Sequence, residues 1–189
     1  MATAPIEITT AGADDARVIA EVHVRSWQHA YEGLLPEEFL ATLSVEKREF
    51  WWCETLARGS PQLLVARDDG GLCGFACFGA SRDEDAPPAT AEIWAIYLLP
   101  RVWSLGVGQR LWRPALARLR ADGARRVMLW ALAGNQRAIH FYQREGFTFD
   151  ETSRRSLDLG GAAVDEIRYL RHIEAPAGES SAAVVPSAP

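Results

Sequence analysis

The sequence predicts an α/β protein built on a mixed central β-sheet of about seven strands, flanked by helices on both faces. Three observations carry this. Two apolar runs, TAEIWAIYLL (90–99) and RVMLWAL (126–132), each lead into a helical stretch, giving a strand–helix–strand–helix centre. Strands joined through a crossover helix pair in parallel. On either side of that centre, at 60–80 and 147–173, alternating stretches fold back around short glycine turns, and hairpins pair antiparallel.

Taken in order, residues 6–9 alternate like a short strand. From Asp14, a capping residue type, Val18, Ile19, Val22 and Trp27 keep helical spacing toward Tyr31. GLLPEEFL then breaks the helix and restarts it, with Pro36 in the favoured first turn. A helix over 45–58 carries Phe50, Trp51 and Trp52. SPQLLVARDDGGLCGFACFGA (60–80) is strand, Asp-Asp-Gly-Gly turn and strand, the strongest hairpin signal in the chain. SRDEDAPPA (81–89) is a polar loop, and the following apolar strand is ended by Pro100. The glycine-bearing SLGVG (104–108) opens a helix to about Ala121, which Gly123 closes. Pro114 inside that helix removes a hydrogen bond and should kink it. A second helix runs from Asn135 to a stop at Gly146, and a last hairpin turns at Gly160-Gly161. One domain over 1–173 follows, and the composition of 174–189, EAPAGESSAAVVPSAP, predicts a disordered tail.

Bulk properties exclude several classes. A chain of 189 residues suffices for one sizeable core. The net charge of -5 comes without any basic block, which argues against a nucleic-acid binder. Lys47 is the only lysine, a compositional bias to which we attach no function. The start MATAPIEITT has no secretory pattern, and no apolar run approaches the roughly 18 residues of a membrane span, so a cytoplasmic protein is expected. Cys53, Cys73 and Cys77 fit neither a disulfide framework nor a metal site, and strand packing suits Cys73 and Cys77. No metal is expected.

Two segments carry chemistry. In LLPRVWSLGVGQRL a strand, a proline and a glycine turn run straight into a helix. Unpaired N–H groups and the helix dipole favour an anion there, and Gly106 and Gly108 leave it room. No Gly-Lys-Ser/Thr follows, so this is not a P-loop, and the third glycine of a dinucleotide fingerprint is absent. In NQRAIHFYQREGF (135–147), Asn135 suits the cap, while Ala138 and Tyr142 lie four apart on one stripe. Taken alone, that stripe reads either as a slot for a thin ligand or as an ordinary helix with a buried tyrosine.

The two segments together, strand, G-x-G turn, helix, strand and then N-x-x-A-x-x-F-Y-x-x-x-G-F, resemble the GNAT superfamily of acyl-CoA-dependent N-acetyltransferases. The resemblance runs from about Ile6 to Ile173, and HVRSWQHAYEGLLPEEFL is similar to a bacterial subgroup of that family. It implies the GNAT fold and acetyl transfer from acetyl-CoA, as cosubstrate, to a primary amine on a small molecule or peptide, with a homodimer among the assemblies. It implies that the coenzyme A pyrophosphate rests on backbone N–H groups of Trp103, Ser104, Leu105, Gly106, Val107, Gly108 and Gln109. The pantetheine arm would run beside Ile96 and Leu98 and meet Asn135, with the Tyr142 phenol next to the sulfur as its acid. Some relatives keep a base glutamate where Glu92 stands, so Glu92 is either that base or a solvated strand-end carboxylate. Alternation would put it on one face with Trp94 and Ile96.

The turn departs from the family. Its basic and polar side chains are replaced by Trp103, Ser104 and Leu105, leaving backbone donors, with Arg101 and Arg110 as substitutes. A decayed turn would suit an alternative, a GNAT-fold protein that binds a ligand or partner without turnover. Trp27, Tyr31 and Trp94 are candidates for an aromatic acceptor pocket, and the carboxylates of RDEDA (82–86) for steering a cationic amine.

Overall fold

The computed structural model describes residues 5–173, so the tail expected over 174–189 lies outside the described residues. The strands are β1 (Glu7–Thr10), β2 (Gln62–Asp68), β3 (Gly71–Ala80), β4 (Thr90–Leu98), β5 (Arg126–Leu132), β6 (Thr148–Phe149), β7 (Arg155–Leu159) and β8 (Ala162–His172). The helices are α1 (Ala16–Ala30), α2 (Glu37–Ala41), α3 (Val45–Arg58), α4 (Val107–Ala121) and α5 (Gln136–Arg144). The sheet runs β1-β2-β3-β4-β5-β8-β6, with β7 also on β8. β4 and β5 are parallel and every other pair is antiparallel, as the crossover and the hairpins require.

One face buries Val107, Leu111 and Leu119 of α4 with Ile139 of α5 against Leu64, Phe78, Ile93 and Leu129. The other packs Ile19 and Val22 of α1 and Trp52 of α3 against Leu63, Val65, Phe75 and Cys77. Apolar side chains on both faces of the central strands thus demand a helical layer on each side.

Local chemistry sets the ends. Ser44 caps α3 by accepting the Lys47 N–H at 3.1 Å, and Gly59 closes it in the left-handed region. The residue placed to start α1 is Asp15 rather than Asp14. Its carboxylate accepts the Gly12 N–H at 2.9 Å and pairs with Arg67, across a 3-10 turn at Ala13–Asp15. Pro36 sits one residue ahead of α2 instead of inside its first turn. α4 continues as one helix through Pro114.

The expected long first arm of the last hairpin is two strands. Asp150 accepts the Thr152 N–H and hydroxyl on Oδ1 and the Arg168 guanidinium on Oδ2, while its carbonyl accepts from Ser153. This side-chain-stabilised turn separates β6 from β7, giving eight strands.

The feature that makes the site is in the middle of the sheet. β4 and β5 pair only at Thr90↔Arg126, Ala91↔Val127 and Glu92↔Met128, and then diverge. Beside the divergence β4 carries a bulge, since Cys77 pairs Ala95 while Phe78 pairs Ile93. The inserted Trp94 breaks the alternation. Ile93, Ile96 and Leu98 therefore face the α4/α5 core, and Trp94, Ala95 and Tyr97 face the α1/α3 core. The expectation that Trp94 and Ile96 share a face is corrected by that one extra residue.

Candidate active site

Where β4 and β5 part, a cleft of about 470 Å³ opens. Its long walls are β4 from Ile93 to Leu98 and β5 from Trp130 to Leu132. One end is the turn into α4, one side is α5, and α1 contributes Ser26 and Tyr31. Of the residues anticipated from sequence, Ile96, Leu98, Trp103, Ser104, Gly106, Val107, Gly108, Gln109, Asn135 and Tyr142 lie together on this lining.

The turn is shaped by two left-handed residues, Ser104 at φ 61° and Gly106 at φ 78°. The N–H groups of Ser104 through Gln109 have no backbone or side-chain acceptor among the described residues, as helix geometry demands for a first turn, whereas the Trp103 N–H expected with them is bonded to the Pro100 carbonyl at 3.1 Å. Gly108 has a different reason to be glycine. A Cβ there would stand 3.3 Å from the Phe141 ring, so its absence lets α4 and α5 close up. Leu105 leaves the lining, the residue 53% exposed to solvent.

The arginines proposed as substitutes for the missing turn charge are engaged elsewhere. Arg101 pairs with Asp68, and Arg110 donates to the Ile6 carbonyl. Charge comes instead from α5, where Arg137 and Arg144 line the cleft and neither makes an ion pair among the described residues. Arg137 stacks on the Trp103 ring, its Cζ 3.6 Å from the centroid, while the Trp103 indole N–H anchors on the Leu98 carbonyl at 2.9 Å. The signal was present in the sequence: Arg137 and Arg144 are seven apart, two helical turns, on a stripe with Phe141. Gln109 donates to Glu145 at 2.9 Å.

Asn135 caps α5, its Oδ1 accepting the Ala138 N–H at 3.2 Å, and Ala138 leaves the lining shallow beside it. The far end of α5 is tied by a Schellman pattern. The Phe147 N–H reaches the Tyr142 carbonyl and the Gly146 N–H that of Gln143, both at 3.0 Å, with Gly146 at φ 81°. This fixes the backbone that carries the Tyr142 phenol. The hydroxyl makes no hydrogen bond among the described residues, and burial pushes its pKa up, so it stays protonated at neutral pH.

Glu92 departs from the sequence expectation. It is 1% exposed and outside the cleft lining. Its Oε2 accepts the Arg82 N–H at 2.9 Å, and its Oε1 accepts the Arg82 guanidinium. A carboxylate directed into its own protein on both oxygens pins the 81–89 loop to β4 rather than facing an amine. The RDEDA carboxylates are likewise tied up. Asp83 accepts from the Trp130 indole and Arg168, and Asp85 from Arg168, which removes most of the free negative charge expected at the rim.

The aromatic set is also rearranged. Tyr31 and Trp94 line the cleft, joined by Tyr97 and Trp130, which sequence reasoning missed because nothing but the splay exposes them. Trp27 lies behind this wall, in a cluster with His23, Trp52 and Tyr97. The Tyr31 and Tyr97 hydroxyls are 3.5 Å apart, and burial raises the pKa of both. His23 accepts the Trp52 indole N–H on Nδ1 at 3.3 Å, and burial, assisted by Arg48, lowers its pKa to about 3. Among the described residues no group of three His, Cys, Asp or Glu could hold a metal, and no helix is long and apolar enough to cross a membrane.

Comparison with known proteins identifies the family and the fold. A model of the acetyltransferase (GNAT) family matches residues 22–147. The uncharacterized N-acetyltransferase YuaI of Bacillus subtilis is 28% identical over 163 residues, 86% of this chain and 90% of the relative. An uncharacterized N-acetyltransferase of Mycobacterium tuberculosis is 31% identical over 160 residues, 84% of this chain and 98% of the relative. In fold, the chain resembles the PaiA N-acetyltransferase of Thermoplasma acidophilum solved with coenzyme A. The TM-score is 0.72 at 22% identity, over 89% of this chain and 99% of that one.

Proposed function

This chain belongs to the GNAT family of acetyltransferases, and on that premise we propose that it moves an acetyl group from acetyl-CoA to a primary amine by direct attack. The observation that carries the proposal is the parting of β4 from β5, with unpaired turn N–H groups at one end and the Tyr142 phenol on its wall. Acetyl-CoA fits these residues: a run of free N–H donors suits a pyrophosphate, and a strand edge left without a partner suits an amide-bearing arm. When bound, it supplies the acetyl thioester.

The N–H groups of Ser104 to Gln109 hold phosphate oxygens, helped by the dipole of α4. Arg137, held over Trp103, and Arg144 add the charge that the turn itself lacks. Ile96 and Leu98 flank the arm, and Asn135 keeps the start of α5 beside it. The unpaired edge of β4 next to its bulge offers N–H groups to the carbonyl oxygen as charge builds there. Tyr142 gives its proton to the departing sulfur. A phenol is a weaker acid than a thiol in water, so this transfer draws on the charge that accumulates on sulfur in the transition state. With Glu92 committed to Arg82, the amine enters neutral after losing any proton to water, and the proton its nitrogen sheds after attack passes through water to restore the Tyr142 phenol.

The alternative, binding without turnover, rests on a turn without basic side chains. The placement of Arg137 and Arg144 weakens it. Release of coenzyme A from acetyl-CoA over a panel of amines tests the proposal. Tyr142→Phe should lower turnover at least about tenfold with acetyl-CoA affinity nearly constant. Weaker binding at normal turnover would make Tyr142 a cosubstrate clamp. No coenzyme A release with any amine would sink the enzymatic reading.

A further inference from the structure

With the acyl donor along β4, as proposed above, the amine enters at the end bounded by Tyr31, Trp94 and Trp130. Trp94 and Trp130 stand on the two diverging strands, and each is covered by a guanidinium. Arg82 Cζ lies 4.5 Å from the Trp94 ring centroid, and Arg155 Cζ lies 3.8 Å from that of Trp130.

The charges here are arranged unlike those of a site for a polycation. Glu92 is held by Arg82 and Glu166 by Arg155, while Asp83, Asp85 and Asp150 converge on Arg168. Of the loop carboxylates only Glu84 lacks an ion pair among the described residues, and it is outside the cleft lining. The one carboxylate on the lining, Glu145, is at the turn end and bonded to Gln109. The cations are less enclosed. The Arg82 and Arg155 side chains keep 50% and 44% of their surface, and each uses Nε and Nη2 on its glutamate, leaving Nη1 without a partner among the described residues. Arg82 and Arg155 stand outside the cleft lining, each over an indole that is on it, so a molecule seated on Trp94 and Trp130 meets aromatic ring surface with free guanidinium donors at its rim, not free carboxylates.

We infer that the acceptor is a primary amine on a flat aromatic body bearing a carboxylate, the chemical class of aromatic amino acids, and that Arg82 and Arg155 select its carboxylate. The inference rests on the acetyl-transfer reading for the position of the amine, but its binding is measurable without turnover. Calorimetry compares L-tryptophan, tryptamine and spermidine, with and without coenzyme A present, and acetylation of each is followed separately. L-tryptophan should bind at least about tenfold tighter than tryptamine and than spermidine, the worth of one charge-assisted contact. Arg155→Gln, which leaves the buried Glu92 pair intact, should erase most of its advantage over tryptamine. Arg82→Gln, where it folds, should do the same.

Equal affinity for tryptophan and tryptamine, or an advantage that survives Arg155→Gln, overturns the carboxylate assignment. Tightest binding by spermidine, or no binding by either indole, overturns the acceptor class. Acetylation of tryptamine or spermidine but not of L-tryptophan likewise overturns the acceptor class, whereas tight binding of L-tryptophan with coenzyme A released by no amine leaves the binding class standing and overturns the acetyl-transfer reading instead.

Discussion

His23 gives the fold a built-in acid sensitivity. It sits among Trp27, Trp52, Phe75 and Tyr97, stacked on the last at 5.1 Å, and its Nδ1 accepts from Trp52. Protonating Nδ1 would break that bond and bury a charge in an aromatic cluster, beside the cation of Arg48. The sign follows: the folded chain resists the proton down to about pH 3, and the unfolded chain takes it up near the ordinary histidine value of about 6.5. Stability is thus fully present above about pH 6.5 and is lost as pH falls toward 3. From this one group the loss is about 2 kcal/mol at pH 5 and roughly 4–5 kcal/mol by pH 3. Urea unfolding at pH 7.5, 6 and 5 should show it. His23→Gln retains a carbonyl to accept the Trp52 N–H but cannot titrate, so the variant's stability should depend less on pH, by nearly one proton between pH 6 and 5. Parallel pH profiles for the two proteins would refute the reasoning. Comparing slopes cancels the carboxylates common to both chains.

Other expectations are more local. Arg137→Gln should weaken coenzyme A binding by about 1–3 kcal/mol, the worth of a charge-assisted contact, measured by calorimetry; unchanged affinity would leave the turn N–H groups as the sole phosphate ligands. Glu92→Gln should lower stability by about 1–3 kcal/mol through its lost bonds to Arg82, with turnover of the folded fraction changed less than tenfold. A larger fall in turnover at unchanged stability would return the base role to Glu92. Gly106→Ala, forced to φ 78°, should cost about 1 kcal/mol or more and weaken cosubstrate binding; an unaffected thermal midpoint would mean that the turn relaxes freely.

The elements were legible because their signals are local. The Ser44 cap and Gly59 stop bracket α3 at the bounds its periodicity gave, and Asn135 and Gly146 do the same for α5. The stripe Asn135–Ala138–Tyr142 reached the cleft because four-residue spacing fixes a helix face wherever the helix is packed. What escaped depends on partners far away in the chain. The bulge at Trp94 is visible only as a mismatch with Cys77 and Phe78, and it alone parts Trp94 from Ile96. Nothing near Glu92 announces that Arg82 will fold back over it, ten residues away across a loop. The charge at the turn came from another helix, through a stack of Arg137 on Trp103 that no linear spacing encodes.

The short pairing of β4 with β5 also gives the sheet a mechanical character. Two parts of the sheet, one ending at β4 and the other beginning at β5, share a seam of only Thr90–Glu92 against Arg126–Met128. From Glu92 to Leu98 the edge of β4 that has left β5, its other edge still bonded to β3, is about 20 Å long, so a rotation of roughly five degrees at the seam would move its tip by about 1.7 Å. The aperture at the turn is therefore geared to residues that never touch a substrate. Repacking of Ala91, Val127 or Met128, buried at the fulcrum, would alter the fit of a ligand at the far end without any change to the groups that bind it.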